Sequence, residues 1–344
     1  FPMVLYSTEI AACLNEGRAL SNWDALRSAE QSGRFRRGVG VAVAGQGSGI
    51  PGIDMGAAFI KMNEDASFNL QIGATDLGTG SDTALAQIAA EVLNVSVDKI
   101  IVYSSDTDMT PFDTGAYASS TTYISGTAVK KAAEACKAMI LEQGRKLLQI
   151  DNAEIIDTRV VGSDGQTISF SDICIKSFYT EEQTQIMGSA SHLSYDSPPP
   201  FNATFAEVEV DTLTGTVRVI KIVSVTDAGQ IINPKMAEGQ VEGGIPQALG
   251  MALSEFMPFD DKGRFTNLDF NSYHIYTSND MPEMVVRFAD SHEPTGPYGA
   301  KAVAEIPINA PAPAVANAVY NAVGVRIKHL PIKPEQILAG MNGK

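Results

Sequence analysis

Twice along its 344 residues the sequence sets two short apolar runs around a polar turn and follows them with stretches of helical period. The first pair is Ala58–Met62 and Phe68–Ile72 around Asn63-Glu64-Asp65, followed by Ser81–Leu93 and Gly126–Leu147. The second is Phe205–Val210 and Thr216–Val225 around Asp211–Gly215, followed by Gln240–Leu253 and Pro311–Val323, with Gly324 as its C-cap. Runs of four to ten β-rich residues closed by Asn, Asp or Gly read as hairpins, and apolar residues such as Ala84, Ile88, Ala89 and Val92 share one helical face. Further strands are expected at Val39–Val43, Ile100–Tyr103 and Val285–Phe288. Hairpins followed by helices define an α+β chain with two hairpin-plus-helix lobes. The triple proline Pro198–Pro200 fixes φ and removes donors, which suits a boundary. The expected division is a leading segment over 1–34, helical around Leu20–Ala29, a first lobe over 35–196 and a second over 197–344.

Forty acidic against 25 basic residues leave a net charge of −15, which would repel a phosphate backbone or an anionic membrane surface, so neither nucleic acid nor membrane is an expected partner. No apolar run reaches the ~18–20 residues of a membrane span. Cys13, Cys136 and Cys174 are odd in number and scattered, so they offer no disulfide framework, metal site or iron–sulfur site. These features point to a reducing, cytoplasmic setting. His192, His274, His292 and His329 lack the spacing of metal ligands.

Five segments hold residue types at spacings that bear on chemistry. Gly47-Ser48-Gly49-Ile50-Pro51-Gly52 matches GxGxxG, but a hairpin strand follows it instead of a helix, and positions 71–75 hold no acid for a ribose. Thr75–Asp82 is better placed, because Gly78-Thr79-Gly80 turns between a strand and a helix whose exposed N–H groups suit an anion. Ser81 or Asp82 capping the helix is the competing reading. Ala116–Thr122 crowds five hydroxyl-bearing side chains before a long helix, either as a neutral cradle for phosphate or as a solvent-facing start. Gln240 stands at an expected helix start between glycine-bearing segments. Glu305 interrupts the apolar run around Val303 and Ile306-Pro307. It is either a base poised by burial or half of an ion pair with Lys301.

In order, Gly78-Thr79-Gly80, Ala118-Ser119, Asp227-Ala228-Gly229-Gln230, Gly239-Gln240-Val241-Glu242-Gly243 and Gly299–Glu305 resemble the second half of a molybdenum-binding large subunit. The family is that of the molybdenum hydroxylases, the xanthine dehydrogenase/aldehyde oxidoreductase group, and the likeness runs from about Arg37 to Leu338. It implies a molybdopterin cofactor, commonly the cytosine dinucleotide, held by Gly78, Thr79, Gly80, Ala118, Ser119, Thr121 and Gln240. It implies that Glu305 is the catalytic base, deprotonating a metal-bound hydroxyl whose oxygen reaches an electron-poor carbon while hydride passes to a sulfido or selenido ligand. No protein side chain is expected to ligate the metal.

The implied reaction is hydroxylation of an N-heteroaromatic, nicotinate-like or purine-like. Aldehyde oxidation is the runner-up, and a cofactor-holding subunit without catalysis the third reading. Thr79 stands where the family often has Gln, and Gly40–Gly45 lacks the Phe of the xanthine clamp, so xanthine itself is not implied. The implied partners are the complementary half of the large subunit, as in split nicotinate dehydrogenases, an iron–sulfur subunit and a flavin (FAD) subunit.

Overall fold

A computed structural model describes residues 5–180 and 183–343, so the first four residues of the leading segment lie outside it. The chain opens with α1 (Ile10–Leu20), α2 (Trp23–Ser28), β1 (Phe35–Gly45), β2 (Met55–Met62), β3 (Phe68–Ile72), α3 (Ser81–Leu93) and β4 (Ile100–Ser104). The long α4 (Thr121–Leu148) precedes β5 (Ala153–Ile156), β6 (Arg159–Gly162), β7 (Thr167–Ser169), α5 (Phe170–Phe178) and β8 (Met187–Leu193). Then come β9 (Phe201–Asp211), β10 (Val217–Asp227), α6 (Pro234–Leu253), β11 (Glu283–Phe288), α7 (Ile306–Asn309), α8 (Pro311–Val323) and α9 (Pro334–Met341). The α+β class expected from the two hairpins is the observed one.

Two compact units result. The first is built from Gly47–Pro198 with His292–Ala302, the second from Ser7–Gln46, Pro199–Ser291 and Val303–Lys344. In the first, the sheet order is β4-β3-β2-β8. Strand β2 alternates strictly, with Gly56, Ala58, Ile60 and Met62 buried, which is the two-residue period of a strand with one face on a core. Helix α4 lies on β2 and β8 through small residues, among them Ala128, Ala132, Ala133 and Cys136. A Cβ on Gly188 of β8 would fall 2.2 Å from the Ala132 carbonyl oxygen, so only glycine lets that strand come so close to the helix.

The second unit has the sheet order β1-β9-β10-β11. Alternate residues of β9 serve opposite faces. Ala206, Val208 and Val210 pack with Val241, Leu249, Val315 and Val319 of α6 and α8, while Ala203 and Phe205 pack with Cys13 of α1. Trp23 meets Phe205 edge-on at 5.6 Å.

Several boundaries differ from the sequence reading. Strand β1 pairs with β9 along its full length, so the run at Val39–Val43 belongs with the second hairpin instead of with residues 47–198. Its parity explains the choice. Gly38 and Gly40 present no side chain to α8, whose Ala318 and Ala314 carbonyl oxygens lie 2.3 and 2.2 Å from where their Cβ atoms would stand. The helical stretch expected around Leu20–Ala29 is α2, and a further helix, α1, precedes it, the two separated at Asn22 in the left-handed region. Helix α4 begins at Thr121, five residues before Gly126. Helix α6 begins at Pro234, where Asn233 Oδ1 accepts from Met236 N at 3.1 Å, so Gln240 lies within the helix and not at its start.

Candidate functional site

The start of α3 is closed by a side chain that the capping argument passed over. Gly78 and Gly80 adopt φ of 92° and 75°, which glycine reaches without strain. The turn directs their N–H groups onto Asp76, whose Oδ1 accepts from Gly78 N at 2.9 Å, Gly80 N at 3.1 Å and Thr79 Oγ1 at 3.4 Å. Burial pushes the Asp76 carboxyl up, but donation from the Gly80, Asp82, Gly78 and Thr79 N–H groups prevails and holds it below the usual carboxylate range. Neither Ser81 nor Asp82 caps this helix. Ser81 Oγ and Asp82 Oδ1 are instead buried without a hydrogen-bond partner, which is costly unless another group satisfies them. The loop donors read from the sequence as free for an anion are thus already facing a carboxylate.

The start of α4 is different. Ala118 and Ser119 both sit in the left-handed region, at φ of 48° and 54°, immediately before a 28-residue helix. Two successive non-glycine residues in that region cost of order 1–3 kcal/mol each, and such strain concentrates at ligand clamps. Ser120 makes no side-chain cap, and the first helical bond runs from Ile124 N to Ser120 O, so the first-turn donors from Thr121 have no acceptor within the helix. The glycine-rich loop at 47–52 buttresses this turn. Gly49 N donates to Ala118 O at 3.0 Å, and a Cβ on Gly49 would stand 3.1 Å from Ser120 Cβ. Below it, buried Asp54 accepts from Tyr117 Oη at 2.6 Å and from Ile50 N at 2.7 Å. The GxGxxG match is therefore a supporting loop, and Asp54 is a residue that the sequence reading missed.

In the second unit, Glu305 is the residue before α7 and its side chain is exposed, so burial within this chain does not poise it. Gln46 Nε2 donates to Glu305 Oε2 at 3.5 Å, and Asn309 Nδ2 donates to Gln46 Oε1 at 3.4 Å. Gln46 thus meets the carboxylate, and Asn309 meets Gln46. Gln46, next to the glycine loop, and Asn309, one turn after Glu305, carried no sequence signal of their own. Gln240 is half-buried on α6. The named residues thus divide into Gly78, Thr79, Gly80, Ala118, Ser119 and Thr121 in the first unit, and Gln240 and Glu305 in the second. Among the described residues no group of three or more His, Cys, Asp or Glu is placed to hold a metal ion.

Neutral donors at a strained helix start suit an anionic group. The comparisons identify the family. Residues 16–282 match the family described as the molybdopterin cofactor-binding domain. A putative xanthine dehydrogenase molybdenum-binding subunit of Escherichia coli (strain K12) is 36% identical over 345 residues, which cover 97% of this chain and 46% of that protein. A probable hypoxanthine oxidase of the same organism is 35% identical, over 97% of this chain and 35% of its own length. A reconstituted CO dehydrogenase from Oligotropha carboxidovorans shares the fold, with a TM-score of 0.91 at 22% identity over 99% of this chain and 46% of that one. The chain belongs to the molybdopterin cofactor-binding family of the molybdenum hydroxylases. It spans less than half the length of these relatives.

Proposed function

We propose that this chain is the cofactor-binding and base-bearing part of a molybdenum hydroxylase acting on an N-heteroaromatic. The observation that carries the proposal is Glu305, an exposed carboxylate at a helix start that meets Gln46, which in turn meets Asn309. Purine oxidation in two relatives' names supports the substrate class.

The residues before and at the start of α4, Ala118, Ser119 and Thr121, hold the anionic part of molybdopterin through backbone donors and hydroxyls, in the cytosine dinucleotide form. Gly78–Gly80 lines the cofactor without giving up its N–H groups, since nothing lies within 4 Å of a Cβ built at Gly78. Gln240 offers its amide from α6. When bound, the molybdenum group supplies the two-electron chemistry, through a sulfido or selenido ligand, and electrons leave through iron–sulfur and flavin subunits. Glu305 accepts a proton at a carboxylate oxygen as water-derived oxygen is delivered to the substrate. The Gln46 amide donates to Oε2 at 3.5 Å, which leaves Oε1 to take the proton.

The partner surface is the half of its relatives that this chain does not span. Residues 254–282 support it. Phe256, Met257, Phe259, Leu268, Phe270 and Ile275 all lie exposed there, and Leu268 and Phe270 are 81% and 77% exposed. So many exposed large apolar side chains along one segment suit a surface that a protein partner covers.

The test is turnover with an artificial electron acceptor by the complex of this chain with that half, on N-heterocycles and on aldehydes. Hydroxylation of the heterocycle, lost in Glu305→Gln at unchanged molybdenum content, is expected. Oxidation of aldehydes alone would overturn the substrate class.

A further inference from the structure

Strand β1 is the end strand of its sheet, and amide side chains close its outer edge. Arg37 N donates to Gln31 Oε1 at 2.8 Å, Val39 N to Asn321 Oδ1 at 2.9 Å, and Asn317 Nδ2 to Val41 O at 3.0 Å. Against this edge lies a cleft of about 180 Å³ walled by Trp23, Arg27, Asn317, Tyr320 and Arg326, with Val39–Val41 as its floor. Two exposed arginines line it. Arg27, from the last turn of α2, lies 5.7 Å from the Trp23 ring centroid. Arg326, just after α8, lies 3.6 Å from the Tyr320 centroid and donates from Nη1 to Asn317 Oδ1 at 3.0 Å.

The charges make this arrangement unusual. The chain carries 40 acids against 25 bases, yet no acid lines the cleft. Among the described residues neither Arg27 nor Arg326 forms an ion pair, whereas Arg18, Arg34, Arg37 and Arg264 each pair with a carboxylate. Two like charges lining one small cleft disfavour each other, and each lies against an aromatic ring, Arg326 with an amide contact besides. Arg326 spends one of five N–H donors on Asn317, so most donors of both forks remain for an acceptor. A planar fork is the side chain suited to bidentate contact with phosphate or carboxylate. The volume is close to the ~150 Å³ that takes a benzene-sized group, which leaves room for one oxyanion on a short stem and none for a dinucleotide.

We infer that the cleft between Arg27 and Arg326 binds a compact oxyanion, a phosphate or carboxylate, borne either by a small molecule or by an acidic side chain of the partner polypeptide. Nothing in the proposed hydroxylation uses it.

Calorimetric titration of the full chain with inorganic phosphate, against chloride at matched ionic strength, tests the site. Saturable phosphate binding is expected, weaker by roughly tenfold or more in Arg27→Gln and in Arg326→Gln and absent in the double variant. Arg36→Gln, whose guanidinium donates to Gly33 O, should leave it unchanged. Equal responses to phosphate and chloride, or phosphate binding that survives the double substitution, would overturn the proposal. Arginine modification by phenylglyoxal separates the two sources. Protection of Arg27 and Arg326 only on adding phosphate marks a small-molecule anion. Protection already present in the partner complex without phosphate marks a partner carboxylate, and no protection in either case overturns the site.

Discussion

Glu305 is one residue whose identity was legible and whose setting was not. An acid between Val303 and Ile306-Pro307 marks it in the sequence, but its exposure and its amide neighbours follow from β1 ending at Gly45 and α7 starting at Ile306, a juxtaposition no local pattern encodes. Glu305→Gln keeps the shape and removes the proton acceptor. Turnover of the assembled enzyme should fall by ~10²–10⁴-fold with molybdenum retained, as read by steady-state kinetics beside metal analysis. Near-normal turnover would remove Glu305 from the reaction. The cysteines give an independent check at the same scale. Burial pushes the Cys13 and Cys136 thiols up to about 12 and Cys174 up to about 11, and all three are free. Because the thiolate is the reactive form, iodoacetamide at pH 8 should label none of them in the folded chain and all three in urea, by mass spectrometry.

Among the elements, those with a clear period came through the sequence well. Strand β3 and the helices α3 and α8 stand where alternation and helical spacing put them, and β2 starts three residues earlier, at Met55. What escaped were β8, whose Met187–Leu193 run is rich in Ser and Gly, and the small sheet β5-β6-β7. Strand β8 carries little strand propensity, and its long-range pairing with β2 decides the outcome, whereas β5, β6 and β7 are only three or four residues long. The start of α4 was displaced for a related reason, because strained Ala118 and Ser119 look like ordinary loop residues until their φ angles are known. Ala118→Gly relieves one strained residue and keeps its N–H. It should raise thermal stability by about 1 kcal/mol and leave molybdenum occupancy full. Ser119→Val, with a branched chain in the left-handed region, should lose both stability and metal. Equal occupancy in the two variants would remove α4 from the cradle. Strand β8 also predicts a pH response. Burial, with Lys131 beside it, pushes the His192 imidazole down to about 4. A base whose folded pKa is lowered contributes stability above its unfolded value, ~6.5, that is lost as pH falls toward about 4. Urea midpoints should decline across that interval, and His192→Gln should flatten the decline.

At the scale of the molecule, the sequence carried the class of the chain and the family resemblance, because both rest on order along the chain. The allotment of β1 to the second sheet was hidden, since it depends on α8 packing over Gly38 and Gly40, nearly 280 residues away in sequence. No helix among the described residues is long and apolar enough to cross a membrane. The proposed protein partner would cover the exposed apolar side chains between Phe256 and Ile275, and obligate interfaces commonly bury more than ~2,000 Å². This chain alone should retain molybdopterin poorly, while co-expression with the complementary half should restore solubility and cofactor together. The most direct measurement is metal and nucleotide analysis of that co-purified complex, for molybdenum, selenium and the nucleotide released by acid. The account predicts stoichiometric molybdenum with cytosine nucleotide, lost from the complex carrying Ser119→Val. A pure, folded complex that holds no molybdenum and releases no nucleotide would contradict it.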